Sequence, residues 1–247
     1  MTTLKDFKSH GKDIILNVLE EYSTGLNSNQ IQCNKISLDV INIANLIESY
    51  IYKNIETFYE DGSLERKYTL YYENKEGVYE EWWTNGQKKI ECNFNEGKFE
   101  GLYEMWHENG LKWIECNYRD GKKEGLYQRW RENGQKTEEC HYRNDKTEGL
   151  HQSWYYDTGQ IWSKCYFSEG NFEGLYECWY ENGQKRRECY FSEGKIEGLH
   201  KTWWENGQKN EESHYRDGKK EGLYQEWYDD GEIMDELIYE NDEVVVN

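Results

Sequence analysis

The stretch EGLYEMWHENGLKWIECNYRDGKK (residues 100–123) runs directly into EGLYQRWRENGQKTEECHYRNDKT (residues 124–147), the same 24-residue unit in frame with ten letters changed. The unit extends in both directions. Its Glu-Gly-Leu/Val signature places glycines at 77, 101, 125, 149, 174, 198 and 222, and a second glycine, usually in Asn-Gly-Gln, follows at 86, 110, 134, 159, 183, 207 and 231. Every interval between signature glycines is 24 residues except one of 25. A fixed period of this size marks a stacked array of supersecondary units, each too small to bury an apolar face alone.

Glycine recurs too often for a helix to run through the unit, so the unit reads as strands and turns. Tryptophan stands five residues after each signature glycine, at Trp82, Trp106, Trp130, Trp154, Trp179, Trp203 and Trp227. Cysteine stands six after the second glycine in five copies, at Cys92, Cys116, Cys140, Cys165 and Cys189, and Phe or Tyr stands eight after it in all seven. A three-residue loop such as Glu108-Asn109-Gly110, with glycine at positive φ, brings the Leu, Trp, Cys and aromatic rows to one face, and reading Arg119-Asp120-Gly121 likewise keeps that parity. The expected architecture is all-β: an elongated, single-layer antiparallel meander of seven hairpin repeats over residues 55–247. The extra residue of the longer interval falls in the loop WYYDTG (154–159).

Residues 1–54 read differently. KDIILNVLEEYSTG (12–25) and ISLDVINIANLIESYIYKN (36–54) carry helical periodicity, with Val40, Ile43, Ala44, Ile47 and Ile51 on one stripe and Ser37 as N-cap. They predict a small helical cap over the first sheet edge.

Composition narrows function. The chain has 247 residues, no proline, 22 tyrosines, 11 tryptophans and a net charge of −19. Residues 58–247 hold 25 basic against 42 acidic side chains, a balance of −17. Such a surface repels nucleic acid and anionic membranes and favours a protein partner with a basic surface. No secretory leader or apolar span is present in the sequence, which points to an intracellular setting with reduced thiols.

Equivalent cysteines two strands apart lie about 9.6 Å from one another, beyond the reach of a disulfide. No C-x2-C pair suggests zinc, so the cysteines read as small buried fillers, with no metal and no cofactor. Glutamates and histidines sit at repeated places and make no asymmetric constellation, so an enzyme is not expected. The letters that vary are expected on the opposite face and form a candidate partner-binding stripe: Trp83, His107, Trp113, Arg131, Trp162, Tyr180, Trp204 and Tyr228.

EGLYxxWxENGQK at this period, over roughly residues 58–240, resembles the MORN-repeat variant found in tandem in bacterial and giant-virus proteins, some of them called antitoxins. The resemblance implies β-hairpin repeats without catalytic residues, acting in protein interaction, scaffolding or membrane association. Two other functions are weighed against an interaction scaffold. One is a choline- or glucan-binding module built from aromatic cages, and the other is peripheral membrane attachment, which the acidic charge opposes. The partner and the oligomeric state are not encoded in any motif.

Overall fold

The computed structural model describes residues 51–246. They form one antiparallel sheet of eighteen strands in meander order, in which β11 (Asn171–Phe172) and β12 (Gly174–Trp179) follow one another along the same neighbour, β10 (Ile161–Ser168). The helical cap expected over residues 1–54 lies outside the described residues except at its end, where Tyr52–Asn54 belong to β1 (Tyr52–Phe58). Contacts divide the chain into two units, residues 1–55 with 69–74, and residues 56–68 with 75–247. In the first, Lys53 pairs with Glu73 at 2.6 Å and the rings of Tyr52 and Tyr71 lie 4.6 Å apart.

The second unit holds the repeats. One copy consists of β5 (Lys98–Trp106) and β6 (Lys112–Arg119), followed by β7 (Lys122–Trp130) and β8 (Lys136–Arg143) of the next. The Asn-Gly loop is the expected three-residue loop. His107 N–H donates to Leu111 O at 2.8 Å, Gly110 N–H to His107 O at 2.9 Å, and Gly110 takes φ of 82°. The loop at Asp120-Gly121 differs from expectation. It has two residues, both at positive φ (50° and 79°), between paired Arg119 and Lys122. This is a type I′ turn, whose twist matches that of the flanking strands.

The rows do not share one face, and the cause is a bulge. Trp106 pairs with Lys112 but Met105 pairs with Ile114, so Trp113 is an extra residue in its strand. One extra residue turns everything beyond it to the other face. Cys116 therefore lies across from Tyr103 rather than Leu102. One face carries the Cys, Tyr and Phe rows, and the other carries Leu, Trp, Lys and Glu.

A second irregularity lies at the signature glycine. Tyr118 pairs with Lys123, whereas Cys116 pairs with Tyr127, so β7 holds two extra residues around Glu124 and Gly125. Gly125 has φ of 83° inside the strand, and its six equivalents lie between 72° and 81°. If the pairing set at the turn had continued, Cys116 would face Gly125 and each copy would slip two residues along the strands. Instead Cys116 is flanked by Tyr103 and Tyr127, and residues 24 apart stand on one line across the sheet.

That alignment builds the core. Tyr79, Cys92, Tyr103, Cys116, Tyr127 and Cys140 alternate on successive strands, each a registered neighbour of the next. Cys140 and Cys189 are fully buried and Cys92 and Cys116 nearly so, because a small thiol between two large rings is covered by both. Each signature glycine also faces an aromatic: Phe94 lies across from Gly77, Tyr118 from Gly101, Tyr142 from Gly125 and Phe167 from Gly149.

The glutamate before each signature glycine completes the device. Glu100 accepts from Asp120 N–H at 2.8 Å, and Glu76, Glu124, Glu148, Glu173, Glu197 and Glu221 accept from the equivalent amides of their neighbouring turns. Those amides belong to the non-glycine residues held at positive φ, where a charge-assisted hydrogen bond offsets backbone strain. A Cβ at Gly101 would meet nothing within 4 Å, so only the left-handed backbone opposes a side chain there. Gly101→Ala should therefore lower stability by about 1–2 kcal/mol, and Gly101→Asn by less, in urea titrations followed by tryptophan fluorescence.

Candidate functional site

In five copies the residue after the row tryptophan opens the hairpin and reaches forward by one copy. Trp83 Nε1–H donates to Trp106 O at 3.1 Å, and His107 Nε2–H to Trp130 O at 3.1 Å. Tyr155 and Tyr180 hydroxyls donate to Trp179 O and Trp203 O at 2.7 and 2.8 Å, and Trp204 Nε1–H donates to Trp227 O at 3.0 Å. Trp, His and Tyr are interchangeable here because each is a flat ring ending in a donor. Much of the variable stripe is thus a set of staples between copies. Asn85, Asn109, Asn182 and Asn206 do the same from the loop tips, each donating to a carbonyl in the next loop.

Arg131 occupies a staple position without acting as one. It is 92 % buried, and neither Nε nor Nη1 has a hydrogen-bond partner. The longer loop is the reason. In the following copy the turn spans residues 155–160, with Tyr155 N–H donating to Gln160 O, and the extra length brings Tyr156 under the guanidinium, 3.8 Å from its carbon to the ring centre. Tyr156 itself is 72 % exposed. Around this pair lies a cleft of about 680 Å³ lined by Trp83, His107, Trp113, Trp130, Arg131 and Tyr156, with Glu108 and Glu132 at its margin. His107 stacks on Trp113 with ring centres 5.4 Å apart.

Of the eight residues expected in the partner-binding stripe, Trp83, His107, Trp113 and Arg131 come together in this cleft. Trp162, on the bulge of β10 (Ile161–Ser168), and Tyr228 are half-exposed and do not line it, while Tyr180 and Trp204 are staples. Tyr156 was missed, since an inserted loop residue has no counterpart in other copies to be compared with. The single 25-residue interval was the signal that could have found it.

Tyr79, Tyr103 and Tyr127 belong to the buried Cys face, not to an exposed one. Glu91, Glu115, Glu139 and Glu188 lie on the Trp face, each paired with the lysine three residues before it. Cys178 is also buried on the Cys face, across from Ser163.

Burial raises the thiol pKa of Cys92 and Cys140 to about 12 and of Cys116 and Cys165 to about 11. Burial thus keeps these thiols protonated near neutral pH and disfavours nucleophilic reactivity. No described helix is long and apolar enough to cross a membrane.

These repeats define a β-hairpin array, and its family follows from the match. The model of the MORN repeat variant matches residues 75–96, 123–144, 150–169, 172–193, 196–217 and 220–241, more than half of the chain, which therefore belongs to that family. The unmatched copy at residues 98–121 makes the same glutamate and hairpin contacts. No curated protein matches the chain. A solved structure of a TarM mutant from S. aureus, in complex with fondaparinux, alpha-GlcNAc-glycerol and UDP, aligns at 11 % identity over 78 % of this chain and 30 % of that one. Its TM-score of 0.20 carries no structural or functional argument.

Two outcomes are expected. Tyr180→Phe, which removes one staple hydroxyl and nothing else, should cost about 1 kcal/mol in a urea titration, whereas Trp162→Ala should change stability by less than about 0.5 kcal/mol. In a Cys33→Ser chain at pH 8, the six described cysteines should react with an aromatic disulfide reagent no faster than the chain unfolds. Rapid reaction of the folded chain would show that the rings do not seal them.

Proposed function

We propose that this chain is a non-catalytic repeat scaffold that binds a protein partner through the cleft around Arg131 and Tyr156. The observation that supports it best is the unsatisfied guanidinium. A buried donor without a partner costs about 1–3 kcal/mol, more when charged, and sits poorly in a surface selected for stability alone. Here it is surrounded by the residue types that dominate binding energy at protein interfaces, Trp, Tyr and Arg. The acidic balance of the array favours a partner with a basic surface, steered by long-range attraction and anchored at the aromatic cleft. If the partner is a toxin, occlusion of its surface by this cleft is the mechanism of antitoxin action.

The test uses residues that are not staples. The full chain and a Trp113→Ala/Tyr156→Ala variant, matched for β-sheet circular dichroism, serve as baits in native lysate. A protein retained by the first and lost by the second is then purified and titrated against both. The proposal expects at least a tenfold weaker Kd for the variant. Equal affinity for both chains, or no protein distinguishing them, would remove the cleft as a binding site.

A further inference from the structure

We infer that Glu138, Cys140 and His151 form a binding site for one zinc-class divalent cation, set into the buried face of the array between β8 and β9 (Lys146–Trp154). At the ladder position where other copies place tyrosine, the chain has His151, between two strands that carry buried cysteines. One ligand atom from each of Glu138, Cys140 and His151 lies within 4.8 Å of the other two. Tetrahedral zinc with bonds near 2.0–2.3 Å needs ligand atoms about 3.3–3.8 Å apart, so the set closes on an ion by rotamer adjustments of about 1 Å. Thiolate, imidazole and carboxylate are the ligands that zinc shares with few harder ions.

The surroundings fit the same reading. His151 Nε2 lies 3.1 Å from Glu138 Oε1, so that nitrogen carries either a proton or a cation between itself and the carboxylate. Its Nδ1 lies 3.9 Å from Cys165 Sγ, whose own thiol is 3.9 Å from the His151 carbonyl. Cys165 thus accepts from Nδ1–H and leaves Nε2 for the ion, the orienting role that a second hydrogen bond plays for metal-bound histidines. Cys140 is fully buried, while the side chains of Glu138 and His151 are 30 % and 20 % exposed, which gives an ion a way in. Binding breaks the Cys140 S–H bond, forms a metal–sulfur bond and releases the proton to solvent. The dication is then balanced by one thiolate and one carboxylate, with neutral His151 as third ligand and the fourth position open to water.

The array contains its own comparison. The equivalent positions 49 residues on hold Arg187, Cys189 and His200 on β13 (Lys185–Ser192) and β14 (Lys195–Trp203), with a guanidinium in place of the carboxylate. There Arg187 Nε donates to His200 Nε2 at 3.0 Å. A cation is already in place, and it is a guanidinium. In the first cluster the cationic neighbours are Arg129, directly across from Glu138, and Lys123, which lies over the rings of Tyr127 and Tyr142, 4.7 and 4.8 Å from their centres.

The inference stands apart from the partner proposal and has a separate test. Cobalt(II) is titrated into the full chain, reduced and stripped with chelator, and thiolate-to-cobalt charge transfer is read in the near ultraviolet. Wild type should bind one equivalent. Cys140→Ser and His151→Tyr, each installing a residue that another copy accepts at that position, should weaken binding at least 100-fold, and Cys189→Ser should leave it unchanged. The inference fails if wild type shows no band at a hundredfold excess of cobalt, or if the band survives either Cys140→Ser or His151→Tyr.

Discussion

The structure depends on a backbone constraint more than on any side-chain contact: a glycine held in the left-handed region inside one strand of every copy. Around Gly125 the chain takes up two extra residues, and only then do residues 24 apart fall on one line across the sheet. Sheet register is quantised, so a slip of two residues would keep the faces but bring cysteine opposite glycine. With the slip corrected, each thiol lies between two rings and each signature glycine lies beneath an aromatic. The glutamate beside that glycine holds the adjacent turn, so one dipeptide sets both the register and the turn that follows.

The staples extend this logic between copies. A backbone carbonyl left at each hairpin bulge is met by a donor from the copy before, on a ring rigid enough to reach it without a large entropic cost. Each copy is therefore satisfied only by its neighbour, as expected for an array whose stability is a sum of nearest-neighbour terms. Where the next copy carries an extra loop residue, the staple fails. Arg131 and Tyr156 are what remain there, and the irregularity is also where the surface is most suited to recognition. The Glu138–Cys140–His151 cluster likewise departs from the repeat, with His151 in the tyrosine row and Glu138 where earlier copies hold Ile90 and Ile114. In both cases function is sought where the pattern breaks.

The period, the strands and the glycine turns were legible because they are local. Gly110 at positive φ and the three-residue loop follow from Asn-Gly and from counting. The faces were not legible. The extra residue at Trp113 leaves no mark in composition, since any residue can be bulged, and a single bulge turned the Cys row from the Trp face to the Tyr face. The absence of C-x2-C spacing spoke only for ligands adjacent along the chain, whereas Cys140 and His151 meet across strands.

The sequence by itself determined a repeating all-β chain of the MORN-variant family, with its copies, turns and alternation of large and small residues, because these depend on φ preferences and on hydrophobic period within about 24 residues. Tertiary structure alone decided which rows share a face, which exposed aromatics are staples and which titratable groups meet. Those outcomes depend on register between strands, and register is set by bulges that only the paired sheet reveals.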